Sequence, residues 1–333
     1  MQKNILVTGA SGFIGSFLIE AALKRNYQTV AGLRATSSKK YLTDPAVRFL
    51  DMDFSTDESL DQAIQTFVTS YGNIHYVIHN AGVTRAKKND EYDKVNFENT
   101  QRFVAALQRN QQVPIKFVLI SSLAAYGPAQ NNQSVTVYHA KKPLTAYGRS
   151  KLKAETFLFS QPDFPFVIIN PTTVYGPKDK DVFFLIESIH KGIEMYIGHR
   201  KQRLSFVHVE DLCNAIFLAM ESSALQSQFL ISDLQVYTSA EFNLHVKNIL
   251  QKKTISLVFP IWLVRSIAVV VETIGKISGK VPILNQERLK EFEAKDWSVN
   301  SHEIVQLGYH PKYNLEKGLN HTIQWYKDKN WLK

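Results

Sequence analysis

Residues 8–15 read Thr8-Gly9-Ala10-Ser11-Gly12-Phe13-Ile14-Gly15. They close the apolar run Asn4-Ile5-Leu6-Val7-Thr8 and open the amphipathic stretch Phe13–Arg25. A strand that turns through glycines into a helix has the shape a dinucleotide pyrophosphate needs. Gly9 and Gly12 allow a tight turn with no Cβ in the way of a phosphate, and Gly15 lets the helix lie close to the strand. The free N–H groups and dipole of the helix N-terminus then face the anion. Gly9, Ser11, Gly12, Phe13, Ile14 and Gly15 are therefore candidate cofactor-binding residues.

Outward from this turn, short apolar runs alternate with helical patterns. The expected strands are Asn4–Thr8, Thr29–Leu33, Val47–Leu50, His75–His79, Lys116–Ser121 and Phe166–Asn170. Between them lie helices expected over Phe13–Arg25, Ser59–Tyr71, Tyr92–Arg109 and Ala146–Phe159. Strands apolar on both faces and separated by helices make a parallel sheet covered on both sides. The fold class is α/β: a Rossmann-type doubly wound parallel sheet with a smaller, interwoven C-terminal substrate domain. The expected boundaries are 1–175 for the NAD(P)-binding domain, completed by about 204–234, and 176–203 with 235–333 for the substrate-binding region. Later expected elements are a helix over Val182–His190, a strand over Leu204–Val207, a helix over Asp211–Glu221 and a returning strand over Phe229–Ser232.

The composition, 44% hydrophobic and 21% charged in 333 residues, excludes the disordered and fibrous classes. The single cysteine, Cys213, excludes an intrachain disulfide and reads as a small buried hydrophobe. The net charge of +9 is spread along the chain, with no arginine-rich tract and no zinc-ligand spacing, so neither nucleic acid nor metal is expected. The N-terminus enters a strand without a signal-like leader, which points to a cytoplasmic protein. The longest apolar stretch, Leu257–Ile274, is interrupted by Arg265 and has Pro260 near its start. It falls short of a spanning helix and reads as a helix covering an apolar pocket, with a membrane-surface contact as the lesser alternative.

The second strand ends Ala31-Gly32-Leu33-Arg34 with no Asp or Glu to hold ribose hydroxyls. Arg34, Ser37, Ser38, Lys39 and Lys40 could hold a 2′-phosphate instead, so Arg34 and Lys39 are cofactor candidates and NADP is favoured, NAD remaining possible. The fourth strand leads to Asn80-Ala81-Gly82, whose small residues let a ribose approach the backbone; His79 reads as a packed strand residue. In Tyr147-Gly148-Arg149-Ser150-Lys151 the Tyr and Lys share a helix face. The lysine cation favours tyrosinate, so the tyrosine can exchange a proton with a substrate oxygen while hydride moves. Ile120-Ser121-Ser122-Leu123 at the end of the fifth strand adds hydroxyls to the set.

Together these motifs resemble the extended short-chain dehydrogenase/reductase family, which is NAD-dependent epimerase/dehydratase-like. Within it they are closest to the dihydroflavonol reductase and 3β-hydroxysteroid dehydrogenase branch. The resemblance covers roughly residues 1–235. It implies that Ser122 rather than Ser121 assists the reacting oxygen, with Ser121 serving the cofactor or capping the strand. Tyr147 and Lys151 would act at both substrate and cofactor. Asn96, in Val95-Asn96, would help anchor the site, although capping or packing is an equal reading. Asp53 would hydrogen-bond and Phe54 pack against adenine, while Asp53 could also cap the following turn. Pro171 and Val174, in Pro171-Thr172-Thr173-Val174-Tyr175-Gly176-Pro177, would meet the nicotinamide carboxamide. Phe206–Leu212 resembles a signature in which His208 and Asp211 are structural.

Several positions depart from relatives. Asn170 stands where many have Arg, and Asn99 where a small residue is usual. Leu204 and Ser205 replace the Arg-Asp of many nucleotide-sugar epimerases. Leu123 and Ala124 replace the Asp-Glu pair of the 4,6-dehydratases. The expected function is an NADP-dependent carbonyl reductase or hydroxyl dehydrogenase acting on an apolar ketone or alcohol. The alternatives are a nucleotide-sugar epimerase with retained NAD and, behind it, a cofactor-binding sensor without turnover. A homodimer is expected through the helices Tyr92–Arg109 and Ala146–Phe159, with Phe97, Val104, Phe157 and Leu158 as seam or sheet-facing residues.

Overall fold

The computed structural model describes residues 2–197, 200–278 and 286–332. Of the expected substrate-binding region, residues 198–199, 279–285 and 333 lie outside the described residues. The chain divides into two compact units of similar size. The first holds Met1–Ser122, Arg149–Asn170 and Cys213–Phe229; the second holds Leu123–Gly148, Pro171–Leu212 and Leu230–Lys333.

All but Pro171, Leu230 and Ile231 of a seven-stranded sheet lies in the first unit: β1 (Asn4–Thr8), β2 (Gln28–Leu33), β3 (Arg48–Asp51), β4 (Tyr76–His79), β5 (Lys116–Ile120), β6 (Phe166–Pro171) and β7 (Ser227–Ile231). Their spatial order is 7-6-5-4-1-2-3. The pairings among β1 to β6 are parallel, with Val7 opposite Ala31 on one side and Ile78 on the other. β1, β2, β4, β5 and β6 are buried almost throughout, which is why they read as continuous apolar runs rather than alternating ones, whereas β3 at the sheet edge buries only Leu50. The order reverses at β1, between β2 and β4, and a crevice at such a switch point is where open α/β sheets bind ligands.

One face is packed by the helices Asp57–Tyr71, Asn99–Arg109 and Ala146–Phe159, through Leu60, Ile64, Phe67, Phe103, Leu107 and Leu158 against Val77, Phe117 and Phe166. Thr56 starts the first of these with a capping box, accepting from Ser59 N at 3.1 Å. Val104 and Leu158 are fully buried in this core and so are not seam residues; Phe97 and Phe157 are half-buried against it.

The second unit has its own core around Tyr175, Phe206, Tyr237, Phe242, Leu319 and Tyr326. The expected strand Leu204–Val207 is two strands. Arg203–Leu204 pairs with Tyr237–Thr238 and Asp296–Trp297, whereas Phe206–His208 pairs with Thr173–Tyr175. Ser205 makes the break: its hydroxyl donates to Gln235 O and accepts from Val299 N. Leu257–Ile274 is likewise not one helix. Ile255–Phe259 is a strand beside Ile193–Ile197, and a helix begins at Ile261. Pro260, without an N–H, sits at the joint. No described helix is long and apolar enough to cross a membrane.

Candidate active site

The glycine turn leaves the C-terminal end of β1. Gly9 has φ +64°, and a Cβ there would lie 2.8 Å from the Ala81 backbone; a Cβ on Gly15 would lie 2.2 Å from Gly9 O. Gly12 N donates to Gly9 O at 3.1 Å, and Ser16 N makes an early helical bond to Gly12 O. Gly12 caps the helix Phe13–Lys24 with no side-chain bond, and its first turn carries no acid. The helix N-terminus is thus arranged for an anion, with Ser11, Phe13 and Ile14 half-buried around it. From β4, Asn80 Nδ2 donates to Gly9 O at 3.3 Å and Ala81 N to Thr8 Oγ1 at 3.1 Å. The segment expected to approach a ribose therefore also braces the turn.

Thr8 belongs to a buried relay. Its hydroxyl is 2.9 Å from His79 Nδ1, His79 Nε2 is 3.2 Å from Thr100 Oγ1, and Thr100 donates to Asn96 O. Because Thr8 Oγ1 accepts from Ala81 N and Thr100 donates onward, one assignment satisfies all four groups: Thr8 donates to Nδ1 and Nε2–H donates to Thr100. Burial first, and the Lys151 charge second, push His79 down to about 3, so it stays neutral.

At the end of β2, Arg34 is exposed and opens a turn closed by Ser37 N donating to Arg34 O at 2.8 Å. Ala35 N donates to Asp51 Oδ1, which fixes the turn against β3, and Lys39 lies 4.2 Å from the Phe49 ring. No carboxylate occurs from Arg34 to Lys40. Asp53 accepts from Ser55 N and Ser55 Oγ, which hold its pKa below the ordinary value; this is the capping role weighed for it above. The Phe54 ring packs on Phe103 and His79.

Thr145 caps the helix Ala146–Phe159 by accepting from Gly148 N at 3.1 Å. Gly148 is required where the chain crosses Ala124, whose carbonyl would lie 2.3 Å from an added Cβ. Tyr147 is half-buried, and Lys151, one turn later, is buried. Lys151 Nζ donates to Ile120 O at 2.8 Å, and burial lowers its pKa to about 8 against the opposing charge of Glu155. A Cβ on Gly82 would lie 2.8 Å from Asn96 Oδ1 and 3.2 Å from Lys151 Nζ, so glycine is what lets these groups crowd one point. Asn96 accepts from Val83 N and donates to Val83 O and Ser150 Oγ. It lies in a π-helical turn, Lys94–Glu98, that interrupts the expected continuous helix.

The end of β5 rests on a buried polar network that sequence reasoning missed. Ser121 Oγ and Asn170 Nδ2 both donate to the Glu155 carboxylate, Asn170 also donates to Ser122 O at 2.9 Å, and Gln228 Nε2 donates to Asn170 Oδ1 at 2.6 Å. Ser121 is thereby turned toward Glu155. The one sequence signal for it was the i, i+4 spacing of Lys151 and Glu155. Pro171 and Val174 are placed in the second unit, where Val174 lies opposite Val207. His208 there accepts from Glu210 N, and Asp211 accepts from Lys312 N and Tyr313 N, so both tie chain segments together. No described group of His, Cys, Asp and Glu could hold a metal ion.

A parallel sheet with a glycine turn at its switch point, and a Tyr–Lys pair one helical turn apart whose Lys151 reaches Ile120 O at the end of β5, defines a dinucleotide-dependent enzyme of the Rossmann class. The chain belongs to the NAD dependent epimerase/dehydratase family, whose pattern matches residues 5–231. It is an NAD(P)-dependent enzyme of the extended short-chain dehydrogenase/reductase type. It is 22% identical over 330 residues to the ceramide reductase of Caulobacter vibrioides, covering 98% of this chain and 96% of that one. It is 29% identical over 352 residues to the UDP-glucose 4-epimerase of Vibrio cholerae, covering 99% and 97%. Among solved structures, the UDP-glucose 4-epimerase of Thermotoga maritima with UDP-glucose superposes with a TM-score of 0.79 at 20% identity, over 98% and 99% of the chains.

Proposed function

We propose that the protein is an NADP-dependent carbonyl reductase or hydroxyl dehydrogenase whose substrate is apolar around the reacting carbon. The carrying observation concerns the cations a sugar diphosphate would need. Leu204, where many epimerases have Arg, packs its side chain into the core of the second unit. Neighbouring Arg203 is held by Asp296 at 2.8 Å. Burying phosphates without paired cations is costly, and with Arg200 over the Tyr196 ring the exposed Lys201 would be the cation of this segment left to meet them. The likeness to a ceramide reductase supports an apolar substrate. The exposed Arg34 turn, without a carboxylate from Arg34 to Lys40, supports NADP.

In this reading the glycine turn and the helix N-terminus hold the pyrophosphate, and Asn80–Gly82 border the ribose. A nicotinamide held there would supply hydride chemistry at the substrate carbon. Tyr147 passes the balancing proton to or from the substrate oxygen, Ser122 donates a hydrogen bond to that oxygen, and cationic Lys151 favours the tyrosinate. Asn96 positions this end of the site through Val83 and Ser150. A second reading, an epimerase with retained NAD, is favoured by the 29% identity to a UDP-glucose 4-epimerase across the whole chain.

The test measures cofactor retained on purification, turnover on ketones, alcohols and nucleotide sugars, and calorimetric binding of UDP to the NADP-loaded protein. Net NADPH consumption with an apolar ketone and no micromolar UDP binding is expected. Retained NAD, UDP binding and no net redox change would establish the epimerase instead. Tyr147→Phe should remove nearly all turnover while NADP still binds, and retention of most of the rate would remove Tyr147 as the proton donor.

A further inference from the structure

One segment of the second unit is left unused by this chemistry. Gln251-Lys252-Lys253-Thr254 leads into the strand Ile255–Phe259, and Pro260 turns the chain into the helix Ile261–Ser278. Among the described residues the strand pairs only with Ile193–Ile197. The helix already has a protein-facing stripe, since Val264 and Ala268 are buried with Leu289 and flanked by Ile197 and Phe259. Most of the other described apolar side chains on the strand and the first turns of the helix are exposed. Ile255 is 72% exposed, Trp262 69%, Val269 46%, Val258 45%, Ile267 43% and Leu257 39%. Ile193, which faces Ile255 across the strand pair, is exposed as well. Among the described residues, seven of the eighteen exposed large apolar side chains fall on this strand pair and helix. Such a concentration marks a contact surface rather than scatter. A helix apolar on its outer face as well as its inner one suits a place between a core and a non-aqueous neighbour.

Charge decides the neighbour. Lys252 and Lys253 are exposed and, among the described residues, make no ion pair. They adjoin the apolar strand, and the whole chain carries +9. An anionic headgroup layer neutralises such a pair without burying it, while tryptophan favours the same depth. A second copy seated on this face would bring two lysine pairs with no acidic counterpart to one contact. We propose that residues 252–269 dock the protein on an anionic phospholipid surface, with Trp262 and the apolar strand entering the headgroup boundary and Lys252 and Lys253 lying on the phosphates.

The experiment sediments the full chain with vesicles of phosphatidylcholine alone and of phosphatidylcholine with equal parts phosphatidylserine. Binding to the anionic vesicles is expected, weakening with salt and on removal of phosphatidylserine. Lys252→Gln with Lys253→Gln should reduce partitioning about thirty-fold, as each lysine near a charged surface is worth roughly a factor of five. Trp262→Ser should also reduce it, at unchanged melting temperature, whereas Lys24→Glu on the first unit should not. Absence of pelleting, or equal loss from Lys24→Glu, overturns the proposal. Light scattering that finds a dimer dissociated by Trp262→Ser also overturns it, by giving the face to a second copy. Turnover is not read, so the proposed redox function and this docking stand or fall separately.

Discussion

Lys151 is an ammonium placed where water cannot solvate it, and its neighbours decide whether it keeps its proton. Burial alone lowers its pKa; the charge of Glu155 pulls the other way and the result is about 8. Glu155→Gln removes that support, and a neighbouring opposite charge moves a pKa by about one to three units. The pKa of Lys151 should therefore fall, and the alkaline limb of the rate profile should move to lower pH by about one unit or more. A profile of kcat against pH checks this; an unmoved limb with a uniformly lower rate would make Glu155 a packing residue only. Arg34 is the second residue whose charge can be read. Arg34→Glu should shift preference from NADP toward NAD by roughly ten- to a hundred-fold, the worth of a charge-assisted bond. The ratio of kcat/KM values for the two cofactors measures it, and an unchanged ratio would leave Arg34 a solvated side chain. The placement of Tyr147 and Lys151 on one helix face and of the glycines in one turn was legible because it rests on spacing along a single element. Glu155, Asn170, Ser121 and Gln228 meet from four separate segments, so no local pattern joins them.

At the scale of elements, the β-α alternation was legible because strands buried on both faces have a simple signature. The π turn at Lys94–Glu98 was not: one extra residue in a helical turn leaves the apolar pattern nearly intact, and it presents Asn96 between Val83 and Ser150. The strand Ile255–Phe259 was hidden for another reason. Its sequence is apolar enough for a helix, and what makes it a strand is a partner sixty residues earlier together with Glu194. That carboxylate accepts from Tyr196, Lys247, Thr254 and Ser256, joining both strands to the helix Ser239–Leu250. Burial raises its pKa, but the bonds from Tyr196, Lys247 and Ser256 outweigh this and hold it at about 2. A carboxylate depressed on folding stabilises above its unfolded pKa, and that contribution is lost as pH falls from about 4.5 through about 2. Glu194→Gln should lower the melting temperature at neutral pH and flatten its dependence on pH below about 4.5. Calorimetry of both forms from neutral pH downward tests this, and parallel curves would place Glu194 outside the acid response.

The whole molecule should feel acid unevenly, because its buried titratable groups are divided between the two units. In the first unit His79 is neutral with a folded pKa of about 3. The unfolded chain takes up that proton near the ordinary value of about 6.5, so stability is full above it and lost as pH falls toward 3, at about 1.4 kcal/mol per pH unit. The second unit has His208, also pushed down to about 3, mainly by burial and further by His321. It also has Asp179 and Asp233, which burial raises to about 6. A raised carboxylate acts in the opposite sense: between about 6 and the unfolded value near 3.8 the folded form binds the extra proton, so stability rises as pH falls. These two offset His208 over most of its window, while the raised groups that could offset His79 are absent from the described part of the first unit. Between pH 6 and pH 4 the first unit should therefore weaken first, although it is the unit with the more regular sheet. Hydrogen exchange read by peptide, corrected for the intrinsic rate, should show β1 and β4 losing protection at pH 5 relative to pH 7 while Tyr175, Phe206 and the helix Leu315–Asp328 lose less. Earlier loss in the second unit would mean that the neutral His79 relay is not what limits the first unit in acid.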